Sequence, residues 1–229
     1  VACSTRAAAV PLVLLAVPTL VGFSAPERST SAAEDASVRV LLYNIHGGVN
    51  VDGRVDPEAT ALAIEAQSPD VIVLNEVGRG WPIFGTLDAA EWLSQRLEMP
   101  YLFEPAADLQ FGNAVLSRLP VIASSGGELP FGAGPQQRSY LSVTFDVGGR
   151  ELVVIGTHLQ ESGSDPQTRT RQIQFLLDAW DGVTPALIAG DMNLQPSEED
   201  VQLFLDAGLV GVQDAIGDPC EPTAFEPKP

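Results

Sequence analysis

PDVIVLNEV, residues 69–77, is the stretch on which the fold turns. Pro69 and Asp70 break what precedes, residues 71–74 are uniformly apolar, and Asn75 and Glu76 stand directly at the end of the run. A short apolar run bounded by turn residues reads as a strand buried on both faces. Upstream, Asp56-Pro57 is a helix N-cap followed by proline at the first helical position, which opens a helix to about Gln67. Before that, residues 38–43 (VRVLLY) form a second β-rich run, followed by a turn at Gly47, Gly48 and Gly53. Downstream, Leu87, Ala90, Trp92, Leu93 and Leu97 mark an amphipathic helix over 87–97. Strands are expected at 101–103, 114–117, 139–147 and 151–157, with Val147-Gly148-Gly149-Arg150 as the hairpin turn between the last two. A helix at 167–180, a strand at 185–189 and a helix at 198–207 complete the pattern. Hairpin strands mixed with helical crossovers imply an α/β domain with mixed pairing.

Composition fits a packed domain. Of 229 residues 45% are hydrophobic and 18% charged, which is too apolar for a disordered chain. Cys3 and Cys220 stand at opposite ends and build neither a disulfide framework nor a thiolate metal site. Cys3 also precedes the one long apolar run, the wrong side for a lipid-attachment cysteine. Net charge is −18 and Lys228 is the only lysine. A non-specific nucleic-acid binder draws its affinity from a basic surface, and this one repels a polyanion at long range. A local arginine cluster still suits a single phosphate, so composition favours a small-molecule or lipid-borne partner over nucleic acid.

Residues 7–23 carry no charge; as a helix they would extend about 26 Å, marginal for crossing a bilayer. Arg6 precedes the run and a mixed, acidic stretch with Glu27, Glu34 and Asp35 follows, an asymmetry that sends the rest of the chain across the membrane. Residues 1–23 therefore read either as a signal peptide cleaved near Ser24 or Ala25, or as the last span of a membrane anchor. Both place the remainder outside the cytoplasm. Residues 24–36 read as a small, polar linker, and 37–229 as the alternating α/β domain.

Strong polar groups sit where the apolar runs end. VRVLLY leads into Asn44-Ile45-His46, VIVL into Asn75-Glu76, ELVVIGT into His158, and PALIAG into Asp191-Met192-Asn193. Strand ends brought side by side are where a rigid scaffold displays site residues. One carboxylate after a strand is ordinarily a solvated loop residue; four polar strand ends are a pattern. Glu76, Asp191, Asn44 and Asn193 offer hard oxygen donors, which suit Mg²⁺, Mn²⁺ or Ca²⁺ better than zinc.

The strings YNIHGG (43–48), PDVIVLNEV (69–77), GNAVLSRLPV (112–121), GTHL (156–159) and GDMN (190–193) resemble, in order and spacing, successive motifs of the endonuclease/exonuclease/phosphatase superfamily. Asn75 stands where that family more often has Gln, and GRGWPIFGTLDAAEWLSQRL resembles a bacterial, membrane-anchored branch. The resemblance implies a sandwich of two mixed β-sheets with helices on both outer faces. It implies hydrolysis of a phosphomonoester or phosphodiester with Mg²⁺ (or Mn²⁺ or Ca²⁺). Glu76 would be a metal ligand with Asn44 beside it, Asp191 would orient or deprotonate the attacking water, and Asn193 would hold Asp191 and a phosphate oxygen. His158 would bond the phosphoryl oxygens, with Asn113 and Arg138 as phosphate contacts. The family carries two later motifs, an Asp beside an aromatic residue and a final Ser-Asp-His. The sequence reaches Pro229 before either, so the resemblance implies that the last strands are missing and that activity is impaired.

Other residues have plainer readings. His46 is expected to support a site residue or to serve as a backbone-bonding turn residue rather than to act in catalysis, and Arg169, Arg171 and Gln172 to brace the fold from a helix with their charges solvated. Trp81-Pro82-Ile83-Phe84 reads as a small cluster under a loop, ahead of the alternatives of dipping into a lipid surface or covering the substrate. Two rival functions remain: a secreted nuclease, which the acidic balance opposes, and a non-catalytic membrane-tethered homologue.

Overall fold

The apolar run at 71–74 is covered on both sides: Val71, Ile72, Val73 and Leu74 expose no surface. The computed structural model describes residues 37–161 and 165–216; the apolar segment 7–23, the linker, both cysteines and residues 217–229 lie outside the described residues. One sheet contains β1 (Val40–Asn44), β2 (Val71–Gly78), β3 (Tyr101–Asp108) and β4 (Phe111–Ser117), in the order β1-β2-β4-β3. The second contains β5 (Val121–Glu128), β6 (Ser139–Asp146), β7 (Glu151–His158) and β8 (Ala186–Asp191), in chain order. Each sheet has one parallel pair, β1 with β2 and β7 with β8, and antiparallel pairs elsewhere. The helices are α1 (Pro57–Gln67), α2 (Ala89–Leu97), α3 (Pro166–Trp180), α4 (Asp200–Asp206) and α5 (Val212–Ile216).

Side-chain alternation along β2 explains its uniform hydrophobicity. Val71 and Val73 join Val115 against Leu141, Val143, Phe145 and Val154 of the other sheet. Ile72 and Leu74 instead meet Ala61 and Ile64 of α1 and Ala90 and Leu93 of α2. On the far side, Ile173 and Leu176 of α3 pack with Leu129, Ile155 and Leu159. The result is an α/β sandwich of two mixed four-stranded sheets with helices outside. Each fully buried Leu, Ile or Phe in these layers contributes about 1.5–3 kcal/mol.

Helix starts follow their local sequence. Asp56 accepts a hydrogen bond from Ala59 N at 3.0 Å, Asp88 from Glu91 N at 3.1 Å and Asp165 from Gln167 N at 3.1 Å; each satisfies an otherwise orphaned donor of the first turn. The expected turn at 147–150 forms, with Gly148 and Gly149 both at positive φ.

Several expectations are corrected. β5 and α5 were not foreseen, and 101–103 and 114–117 extend into one long β3–β4 hairpin. Arg169 is not solvated. It is 2% exposed, pairs with Glu198 and with Asp200 Oδ2 (2.9 Å), and donates to the Asn193 carbonyl. Gln172 is buried too, accepting from Gln160 N at 2.9 Å, whereas Arg171 stays half-exposed. Trp81, Phe84 and Phe111 stack as a local cluster. No helix among the described residues is long and apolar enough to cross a membrane.

Candidate active site

Parallel pairing brings strand ends into register. Asn44 lies opposite Asn75 at the end of β1, and His158 opposite Asp191 at the end of β8. Glu76 sits where the β2–β4 register breaks, at φ 55°. A left-handed backbone at a non-glycine residue in a bulge re-aims the side chain at some cost in strain. Gly190 meets a different demand: a Cβ there would strike the backbone of Thr157, so only glycine lets β8 run this close to β7 before Asp191.

The two carboxylates meet at one amide. Asn44 Nδ2 donates to Glu76 Oε1 at 3.1 Å and to Asp191 Oδ2 at 3.0 Å, so these oxygens, one from each sheet, lie at most about 6 Å apart. The other Glu76 oxygen is 3.2 Å from His46 Nδ1, and His46 N donates to Asn44 Oδ1 at 3.1 Å. His46 is thus a turn residue, as expected, that also touches the cluster. Asn193 N donates to Asp191 Oδ1 at 3.1 Å, which fixes the second carboxylate.

Behind the carboxylates stand Arg138 and His158, both buried. Arg138 Nη1 is 3.0 Å from His158 Nδ1. Arginine has no acceptor, so Nδ1 receives this bond and a neutral imidazole carries its proton on Nε2. Burial, and then the Arg138 charge, push the His158 pKa down to about 4, which keeps the ring neutral at pH 7. Its Nε2 lies 3.9 Å from Asp191 Oδ2 and 3.2 Å from the Asn193 amide nitrogen; both nitrogens are donors, so they stand side by side without bonding each other, and the amide donates to Leu159 O at 3.0 Å. Two neighbouring N–H donors backed by a guanidinium suit the oxygens of an anion. Desolvation also lowers the Arg138 pKa, and its buried Nε has no hydrogen-bond partner among the described residues. An under-satisfied buried cation of this kind is costly unless an anion completes it.

Asn113 occupies a different place from the one expected. It is 2% exposed and fully engaged: Oδ1 accepts from Asn75 at 2.8 Å, and Nδ2 donates to Ser139 O at 3.1 Å and Ser139 Oγ at 3.0 Å. It lies beneath the carboxylates and has no free group for a phosphate. Its partner Asn75 exposes no surface. Asn75 Nδ2 also donates to Thr157 O, and its Oδ1 accepts from Asp191 N, both at 2.8 Å. One side chain of the first sheet therefore fixes the strand ends of the second. The sequence signal for this was an amide closing a run whose other members are all buried. Arg169, through the Asn193 carbonyl, was missed in the same way.

Among the described residues no three His, Cys, Asp or Glu side chains form a metal-binding group. The oxygen set is two carboxylates and an amide.

The sequence matches the family described as Endonuclease/Exonuclease/phosphatase over residues 41–229. It is 23% identical over 192 residues to tyrosyl-DNA phosphodiesterase 2 of Danio rerio, covering 82% of this chain and 49% of that protein. The chain spans about half the length of the curated relatives it matches. A crystal structure of an endonuclease/exonuclease/phosphatase from Beutenbergia cavernae DSM 12333 superposes with TM-score 0.63 at 29% identity, covering 74% of this chain and 53% of that one. The human Nocturnin catalytic domain with bound sulfate superposes with TM-score 0.65 at 21% identity over 81% and 76% of the two chains, a likeness of fold.

Proposed function

This chain belongs to the endonuclease/exonuclease/phosphatase family, and on that footing we propose that it hydrolyses a phosphoester with a divalent cation, Mg²⁺ first and Mn²⁺ or Ca²⁺ as substitutes. The observation that carries this reading is the meeting of Glu76 and Asp191 on Asn44, next to a buried Arg138–His158 pair. The donors fit such a cation in type, being hard oxygens; Glu76 would hold it, with Asn44 beside it. When bound, the ion supplies Lewis-acid polarisation of the phosphoryl group and steadies the leaving oxygen. Asp191, fixed by the backbone of Asn193, aims the attacking water at phosphorus or accepts its proton. His158 Nε2–H and the Asn193 amide hold the non-bridging oxygens, with the Arg138 charge behind them.

The charge of −18 supports small or lipid-borne esters over nucleic acid as substrates, and disfavours the nuclease alternative. The charge asymmetry around residues 7–23 supports an extracytoplasmic protein, secreted or membrane-anchored.

The test is a panel of phosphomonoesters and phosphodiesters with Mg²⁺, Mn²⁺ and Ca²⁺, beside calorimetric Mn²⁺ binding. Glu76→Gln should weaken Mn²⁺ binding and metal-dependent turnover. Asp191→Asn should lower kcat about 100-fold or more with the fold intact. Full activity in both variants would remove the assignment.

A further inference from the structure

Helix α3 buries polar side chains beside its apolar ones. Thr168, Arg169 and Gln172 are all buried, which is costly unless each polar group finds a partner. Their partners include main-chain groups of the segments around the Arg138–His158 pair. Arg169 donates to the Asn193 carbonyl. Thr168 Oγ1 accepts from Ala133 N at 3.2 Å and donates to Asp165 Oδ2 at 2.7 Å. Gln172 holds two segments at once: its Oε1 accepts from Gln160 N at 2.9 Å, and its Nε2 donates to Pro130 O at 3.2 Å. A side-chain amide suits this task, because one planar group carries an acceptor and a donor side by side.

Each segment that Gln172 holds leads to one member of the pair. Gln160 follows His158 by two residues. Pro130 follows Leu129, whose N–H donates to the Arg138 carbonyl at 2.8 Å. Gln137 Nε2 closes the same turn on Leu129 O and Arg138 O, at 2.5 and 2.8 Å. The loop between them is pressed onto its supports: a Cβ added at Gly132 would collide with Thr168 Oγ1, and one at Gly134 with the Gln160 amide. The β6–β7 pairing ends at Tyr140 and Thr157, so Arg138 and His158 both stand beyond its last rung. They touch each other through one contact, Nη1 to Nδ1 at 3.0 Å. At about 3.6 Å such a contact is no longer a hydrogen bond, so a small slackening between the two segments dissolves the pair.

We propose that Gln172 is a positioning residue: by clasping Gln160 N and Pro130 O with the two ends of its amide, it sets the spacing of His158 and Arg138 and keeps both aligned on one bound phosphate. It acts only through these two segments and touches no reacting atom. Misalignment of this kind lowers affinity and rate without removing any group that meets the ligand.

This inference rests on reading the pair as an anion site, and the experiment separates the two. The full chain at pH 7, with chelator, is titrated with inorganic phosphate by calorimetry, and its two histidine rings are followed in long-range ¹H–¹⁵N spectra. The His158 signals are those lost in His158→Gln. Gln172→Met keeps the volume and removes both bonds. Leu93→Ala, buried on α2 behind the other sheet, serves as a variant destabilised elsewhere. In Gln172→Met phosphate affinity should fall about tenfold, the effect of one slackened hydrogen bond to a charged group. The His158 ring should pass from the Nε2–H form alone to a mixture of both tautomers. Leu93→Ala should change neither. Either readout left unchanged in Gln172→Met overturns the proposal, as do the same changes in Leu93→Ala. If the parent chain binds no phosphate, the anion-site reading fails and the ring spectra decide the clasp alone: the Nε2–H form giving way in Gln172→Met supports it, and its persistence refutes it. If Gln172→Met does not fold, Gln172→Glu, which keeps the acceptor for Gln160 N and loses the donor to Pro130 O, is judged on the ring spectra by the same rule.

Discussion

Replacing Asn75 with alanine removes three hydrogen bonds of 2.8 Å from a side chain with no exposed surface. Asp191 N, Thr157 O and Asn113 Oδ1 each lose this partner, the last two inside fully buried residues. At about 0.5–1.5 kcal/mol net per bond, and more where a buried group stays unpaired, the loss should be about 2–4 kcal/mol. A domain of this size shifts by about 2–4 °C per kcal/mol, so Tm should fall by about 4–16 °C. Urea unfolding at pH 7 with chelator measures the loss, with the m value unchanged. Because Asn75 fixes the backbone of Asp191 and precedes Glu76, Mn²⁺ affinity should drop as well. A stability loss under about 0.5 kcal/mol, as at an ordinary surface site, would refute the clamp. Lost stability with undiminished Mn²⁺ affinity would show that the network holds the sheets without placing the carboxylates.

Other outcomes follow from the same geometry. Arg169→Met should cost about 3 kcal/mol in urea unfolding, because the acidic partners Glu198 and Asp200 and the Asn193 carbonyl lose a buried cation. His158 titrates near 4 when folded, below its ordinary 6.5, so the unfolded chain binds the proton more readily. Its contribution is complete above pH 6.5 and is lost as pH falls toward 4, with a slope up to about 1.4 kcal/mol per pH unit. The difference between the parent and His158→Gln stability curves, measured with chelator, isolates it; parallel curves over that window would contradict the buried neutral ring. Arg138→Met should weaken inorganic phosphate binding about tenfold or more by calorimetry, and an unchanged affinity would remove Arg138 from the anion site.

The parts of the fold readable in the sequence are those whose signals are local. Asp56-Pro57 announced α1, the paired glycines at 148–149 announced the β6–β7 turn, and polar residues closing β1, β2, β7 and β8 marked the strand ends that gather in the candidate site. β5 was hidden because VIASSGGE is mostly exposed and rich in Ser and Gly; its pairing with β6 makes it a strand. Arg169 was misjudged because helical spacing says which residues share a face but not which acids a later loop will bring to it. Asn113 fell within a site motif, yet sheet stacking turns its amide inward to Asn75 and Ser139. Sequence alone specified which residue types gather; the reach of Asn75 from one sheet to the other depended on their packing.

Glu76 and Asp191 belong to different leaves of the sandwich, and this decides what a ligand does to the molecule as a whole. An ion or phosphate gripped from both sides can be held only while the leaves are closed. Its binding free energy therefore adds to the resistance of the whole domain to opening, about 2.7 kcal/mol at a ligand concentration 100 times Kd. Amide exchange should then slow along the central strands of both leaves, far from the loops that touch the ligand.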